Sequence, residues 1–188
     1  MSFSYEELAE IRHYIHQHPE LSGQEYQTTA FLRERLEELG IRILESGLKT
    51  GLIAEIGFGK PVVALRADID ALPILEQTNL PYQSQHPGVM HACGHDFHQT
   101  SLLGAAALLK EKEDLLEGTI RLIFQPAEEI SEGASDVLAT GLLEDVQGII
   151  GFHNMPQLKA GQLALNAGAM MAGVEKFKVT GGKKTSVL

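Results

Sequence analysis

The sequence predicts an α/β domain with a mixed, largely parallel central sheet flanked by helices. Three observations carry that expectation. Short β-rich apolar runs alternate with longer segments of helical periodicity, the order that builds a sheet with helices packed on its faces. Three of those runs lead directly into ionisable residues at their carboxyl ends, where open α/β sheets bind their ligands. The 188 residues are 44% hydrophobic and 21% charged, enough for one core without disulfides or a structural metal.

Each element follows from a local signal. Ser4 and Glu7 stand at capping-box spacing, and Leu8, Ile11 and Ile15 recur at helical intervals before Pro19, which predicts a first helix from Tyr5 to Gln17. Phe31, Leu32, Leu36 and Leu39 stand among Arg33, Glu34, Arg35, Glu37 and Glu38 and stop at Gly40, an amphipathic second helix with a charged outer face. Ile41 to Leu44, Leu52 to Ile56 and Val62 to Leu65 are short apolar runs, the last a strand buried on both faces. The Ala- and Leu-rich stretch from Thr100 to Lys110 predicts a buried helix, with His91 to His98 in the loop before it. Thr119 to Phe124 is a strand, Ala134 to Leu143 is weakly helical, and Gly148 to Phe152, Gly161 to Leu165 and Val174 to Val179 complete the strands. No repeat or linker divides the chain, so residues 1–179 read as one domain and 180–188 as a small, polar tail that adds no element.

Charge and composition exclude several classes of function. Fifteen Lys and Arg against 25 Asp and Glu give a formal charge of −10, without a block of like charges, so nucleic acid is not an expected partner. The longest apolar run, Leu102 to Leu109, falls well short of the ~20 residues a membrane span needs. The opening Met1-Ser2-Phe3-Ser4 lacks the basic and apolar regions of a leader, and the expected location is cytoplasmic. Cys93 is the single cysteine, so its role is packing, metal ligation or reactivity rather than an intrachain disulfide.

The ionisable clusters point to hydrolytic metal chemistry. Val62 to Leu65 leads into Arg66, Asp68 and Asp70; Ile120 to Phe124 into Gln125, Pro126, Glu128 and Glu129; Gly148 to Phe152 into His153 and Asn154. Cys93 and His95 flank a single Gly, which permits a turn that aims a thiolate and an imidazole at one cation of the zinc type. An adjacent carboxylate pair in extended backbone points two ways, one group to a metal and the other to its water. Such a cation lowers the pKa of bound water toward ~7 and a free carboxylate takes its proton. Asp68 and Asp70 fit turn caps, partners of Arg66, or carboxylates that orient a ligand His. His13, His16 and His18 read as C-terminal capping of the first helix, His98 is a candidate support of the metal loop, and His86 and His91 receive no role.

Four ordered motifs carry a resemblance. Leu65 to Pro73, His91 to Asp96, Gln125 to Glu129 and Phe152 to Asn154 resemble the M20 metallopeptidase family, and most closely its amidohydrolase branch of N-acyl-amino-acid, hippurate and N-acetyldiaminopimelate hydrolases. His18 to Ser22 fits the opening of such proteins, and the likeness extends to about Val179. The resemblance implies a zinc-exopeptidase-like catalytic domain and a site for two divalent metal ions, with Zn, Mn, Ni or Co as candidates. Softness of the Cys93 thiolate leans toward zinc. Cys93 matches the bridging thiolate, His95, Glu129 and His153 further ligands, Glu128 the general base, and Asp68 a carboxylate behind the ligands. The implied substrate is a small N-acyl amino acid whose amide bond is cleaved. Relatives also carry a lid domain, inserted after a strand like Val174 to Val179, and a returning segment with one more ligand His. Residues 180–188 do not match that continuation, and the lid and C-terminal catalytic segment are absent from this sequence.

The resulting expectation is a truncated catalytic domain that binds one metal more readily than two and hydrolyses N-acyl amino acids with impaired activity. The alternative is a non-catalytic metal-binding or self-associating fragment, and homo-oligomerisation stays open between the two. A third reading, Cys93 as nucleophile with His95 or His153 as base, leaves Glu128 and Glu129 without a task.

Overall fold

Ser4 starts the first helix as its spacing predicts: the Ser4 hydroxyl accepts the Glu7 N–H at 3.1 Å while the Glu7 carboxylate accepts the Ser4 N–H at 2.7 Å. In the computed structural model, which describes residues 3–168 and the backbone of 178–181 and 184–187, α1 spans Tyr5–Gln17 and α2 Tyr26–Glu38. The strands β1 (Arg42–Leu44), β2 (Leu52–Gly57) and β3 (Val62–Asp68) follow. After them come α3 (His95–Lys110), β4 (Thr119–Gln125), α4 (Gly133–Ala139) and β5 (Val146–Gly151).

These strands form one sheet in the order β1-β2-β4-β3-β5. β1 with β2 and β2 with β4 are antiparallel, whereas β4 with β3 and β3 with β5 are parallel. The sheet is therefore mixed, and its parallel half is the half that bears the ionisable clusters.

Strand periodicity divides the core between the two faces. Leu52, Ala54, Ile56, Ala67, Leu122 and Phe124 turn to one face and pack with Ile11 and Ile15 of α1, Leu32 and Leu36 of α2 and Leu102, Leu103 and Ala106 of α3. Ile53, Ala64 and Ile123 turn to the other face and pack with Val137 of α4. Burying each of the Leu, Ile, Val and Phe side chains among these stabilises the fold by about 1.5–3 kcal/mol. Across β2 and β4, Glu55 faces Arg121 in register, and their buried pair is extended by Arg42 and by Asp145.

The structure corrects several boundaries. α3 begins at His95 rather than near Thr100, so His95 to His98 belong to the first turn of the helix and not to the loop; Gly94, at φ 85°, makes the left-handed turn that lets the helix start there. β3 continues through Asp68, and Val63 within it is exposed, so that strand is covered on one face only in part. Residues 161–165 form no strand, because they pair with no partner among the described residues and leave Leu163 and Leu165 exposed. The tail does add an element: β6 (Lys178–Gly181) pairs antiparallel with β7 (Lys184–Val187). Of the strand predicted at Val174 to Val179, residues 174–177 lie outside the described residues. Met1–Asn154 and Met155–Leu188 form two separate units, and every candidate site residue is in the first. Among the described residues no helix is long and apolar enough to cross a membrane.

A candidate metal centre

Because β3, β4 and β5 are mutually parallel, the residues that follow their carboxyl ends emerge at one edge of the sheet. β3 delivers Asp68 and then Asp70; β4 delivers Glu128 and Glu129 after the Pro126–Ala127 turn; β5 delivers His153 and Asn154. The start of α3 brings His95 and, one turn on, His98, while Cys93 precedes the Gly94 turn.

His95 is the common member of three groups. Its ligand nitrogen lies within 4.8 Å of those of Cys93 and His153, of Glu128 and Glu129, and of Asp68 and His98, with the atoms of each group mutually that close. All six residues singled out from the sequence are thus brought together. His95 Nδ1 donates to the Asp70 carbonyl at 2.9 Å, with Asp70 Oδ1 3.3 Å away, which turns Nε2 toward the cluster. Around Nε2 stand Asp68 Oδ1 at 3.6 Å, Glu129 Oε1 at 3.7 Å and Glu128 Oε2 at 3.9 Å. The Cys93 Sγ is 3.3 Å from His153 Nε2, and His153 Nδ1 donates to the Asn154 carbonyl at 2.8 Å. His95 is buried, Cys93, Glu128 and Glu129 are half-buried and His153 is exposed, so the cluster has a buried floor and an open rim.

Electrostatics follow this crowding of acids. Burial pushes Cys93 up to about 12, with Glu129, Glu128 and Asp68 adding to the effect. Glu128 is raised by burial and by its neighbours Asp68 and Glu129. Burial by itself lifts Asp68, but the His98 hydrogen bond and the charges of His95 and Arg66 outweigh it and hold the carboxyl at about 2. His95 is raised: burial opposes its charge, and Asp70, Asp68 and Glu129 favour it more strongly.

The residues present fit a divalent cation. His95 Nε2 and Glu129 Oε1 are buried without a hydrogen-bond partner, and both face the cluster. Thiol, imidazole and carboxylate form a donor set suited to zinc and other late first-row ions, and the excess of acidic groups calls for positive charge.

Sequence reasoning left Asp70 among alternatives and missed Glu25 and the bridging role of His16. The carboxylate behind His95 is Asp70, which also accepts from Ser22 Oγ (2.6 Å) and from the Glu129 N–H (3.0 Å). Asp68 instead accepts from His98 Nδ1 at 2.6 Å and from Arg66 at 2.7 Å. Glu25, fully buried, accepts from Thr50 Oγ1 and from the Ala127 N–H, each at 2.8 Å, and so holds the turn before Glu128, where Ala127 has φ 49°. His16, read as a helix cap, is a buried bridge between Asp96 (2.9 Å) and Glu76 (3.1 Å), and the capping role falls to His18, which donates to the Tyr14 carbonyl. The capping and pairing signals for Asp70 were visible, but no local pattern marks Glu25, whose partners are 25 and 102 residues away.

Residues 64–186 match the peptidase family M20/M25/M40. The chain belongs to this M20 family. An N-acetyl-L-cysteine deacetylase of Bacillus subtilis is 54% identical over 175 residues, covering 92% of this chain and 42% of the relative. An IAA-amino acid hydrolase of Arabidopsis thaliana is 47% identical over 171 residues, covering 90% of this chain and 39% of the relative. A crystal structure of a dinuclear metal-binding M20 peptidase from Bacillus subtilis superposes with a TM-score of 0.79 at 56% identity, covering 80% of this chain and 43% of that one. The M20 chain therefore spans less than half the length of these relatives, and its fold is that of the part of the solved M20 peptidase on which it superposes.

Proposed function

We propose that this chain carries the cation-binding and proton-transfer machinery of a hydrolase that cleaves the amide bond of small N-acyl amino acids. The observation that supports it most directly is the convergence of Cys93, His95, His153, Glu128 and Glu129 on one half-open cluster with two buried, unpartnered donor atoms. N-acetylcysteine is the first substrate to try, from the deacetylase that this chain resembles. In this reading Cys93, His95, Glu129 and His153 hold up to two divalent ions, of zinc, manganese, nickel or cobalt, with Asp68 and Asp70 behind them. Held by these residues, a divalent ion would supply Lewis-acid activation of the attacking water and of the substrate carbonyl.

The chain's own groups do the rest. Glu128 is half-buried, and the pull of burial and of its acidic neighbours raises its pKa, which suits a carboxylate that takes a proton from water and passes it to the leaving amine. Asp70 fixes the His95 ring through Nδ1, leaving Nε2 free to ligate. The thiol-catalysis reading leaves Glu128 and Glu129, which stand beside Cys93 in the cluster, without a task. A single free cysteine as ligand suits the reducing cytoplasm.

Glu128→Gln tests the division of roles. It is expected to keep the cation content of the wild type and to lower hydrolysis of N-acetylcysteine by about 100-fold or more; equal turnover by the variant refutes the role of Glu128. Wild-type hydrolysis by the 188-residue chain is proposed to be slow, because the chain spans less than half of its relatives. A second reading, a self-associating cation-binding fragment, is favoured by β5, where Ile149 and Ile150 are 55% and 69% exposed. Gel filtration showing a concentration-dependent oligomer, with bound cation and no turnover, supports that reading instead.

A further inference from the structure

We infer that Asn154 is a positioning residue that ties the Cys93–His153 side of the cation site to the Asp68–His95 side. The inference rests on the cation-site reading above and extends it to a residue outside the donor set.

Asn154 makes three contacts that bear on the site. Its carbonyl accepts the Nδ1–H of His153 at 2.8 Å, which leaves the His153 Nε2 lone pair directed at Cys93 Sγ, 3.3 Å away. His98 Nε2 stands against Asn154, 2.6 Å from the side-chain Oδ1 and 3.1 Å from the backbone nitrogen. The other nitrogen of that ring donates to Asp68 Oδ1 at 2.6 Å, the oxygen that faces His95 Nε2. The third contact is steric. A Cβ at Gly94 would lie 2.3, 2.5 and 2.7 Å from Oδ1, Nδ2 and Cγ of Asn154, so the amide fills the space that the missing side chain leaves over the Cys93–Gly94–His95 turn.

The backbone carbonyl of Asn154 holds the His153 ring, while its side chain, the part that Asn154→Ala removes, buttresses His98 and limits the turn that separates Cys93 from His95. Asn154 is half-buried and belongs to neither apolar cluster of the core, so its side chain can be removed without opening the core. Groups that orient ligands from behind typically govern metal affinity by 10- to 100-fold without touching the ion.

The test compares wild type, Asn154→Ala and Cys93→Ala as 188-residue chains titrated with Co²⁺. Affinity and the sulfur-to-cobalt charge-transfer absorbance, a signature of the Cys93 thiolate, are read together, beside the melting temperature of the cation-free proteins. Asn154→Ala is expected to weaken Co²⁺ binding about 10- to 100-fold and to diminish the charge-transfer band. Its cation-free melting temperature should stay within about 2 °C of the wild type. Unchanged affinity and an unchanged band in Asn154→Ala, with binding lost in Cys93→Ala, overturn the role of Asn154 alone. A fall of more than about 5 °C in its cation-free melting temperature assigns Asn154 to holding the fold and likewise overturns the inference. A wild-type chain that takes up no Co²⁺, or a Cys93→Ala chain that binds it unchanged, refutes the cation-site reading and this inference with it.

Discussion

Removing the Glu25 carboxylate should damage both the fold and the catalytic turn, although Glu25 is not a ligand. Its two oxygens each accept one hydrogen bond at 2.8 Å, from Thr50 Oγ1 and from the Ala127 N–H, and the residue is fully buried. A hydrogen bond to a charged acceptor contributes about 1.5–3 kcal/mol, and a donor left buried and unpaired costs a similar amount. Glu25→Ala should therefore destabilise the chain by about 3–5 kcal/mol and lower its melting temperature by about 6–20 °C, taking about 2–4 °C per kcal/mol for a chain of this length. Glu25→Gln keeps one acceptor oxygen and should lose about half as much. Urea unfolding of the cation-free proteins gives the stabilities. Cation titration of the folded variants then reports on the turn, because Ala127 at φ 49° no longer has its N–H held and Glu128 and Glu129 follow it directly. A loss below about 1 kcal/mol in Glu25→Ala would show that the buried carboxylate does not hold the turn.

The remaining predictions concern the same edge of the sheet. Gly133→Ala sets a Cβ 1.6 Å from the Pro126 carbonyl oxygen, a backbone atom that cannot turn aside, and should cost about 3 kcal/mol or more. Gly148→Ala on β5 meets nothing within 4 Å and should stay within about 0.5 kcal/mol of the wild type; equal losses in the two variants would contradict the packing of the 126–133 loop. Burial alone would lift Asp96, but the His16 hydrogen bond and the charges of His91 and Arg12 hold it at about 2. With its folded value depressed, its share of stability, about 2 kcal/mol, is present above about pH 4 and is lost as the pH falls toward 2. His16 is raised, chiefly by the Asp96 hydrogen bond, so its share is complete below about pH 6.5 and is lost as the pH rises through its folded value. Acid unfolding followed by circular dichroism should therefore be shallower between pH 4 and 2 in Asp96→Asn, and parallel curves for variant and wild type would count against the pair.

Local signals located most of the fold and the ionisable residues that gather at one edge of its sheet. The capping box at Ser4, the helical spacing of Ile11 and Ile15, and the strands that lead toward Asp68, Gln125 and His153 are short-range features, and the structure keeps all of them. Cys93, His95, Glu128, Glu129 and His153 were legible because each follows or precedes an element of clear periodicity. The early start of α3 was hidden because His95, Asp96 and His98 look like loop residues; their burial against Asp70, His16 and Asp68 is a tertiary effect that overrides local polarity. Asp70 and Asp68 exchanged their expected emphasis for a similar reason. Two residues apart they would share a face of a strand, but β3 ends at Asp68, so Asp70 lies beyond it, and which His each one meets depends on the rotation of α3 over β3. Glu25 was invisible because a buried carboxylate held by one hydroxyl and one amide has no sequence pattern. The run at 161–165 misled in the opposite direction, since strand propensity without a partner strand does not make a strand.

The central claim is that Cys93 and His95 bind a divalent cation at the carboxyl edge of the sheet. Elemental analysis of metal per chain after gel filtration, on wild type and Cys93→Ala prepared side by side, tests it most directly. The account predicts near-stoichiometric metal in the wild type and its loss in the variant, while equal metal in both, or none in the wild type, would contradict it.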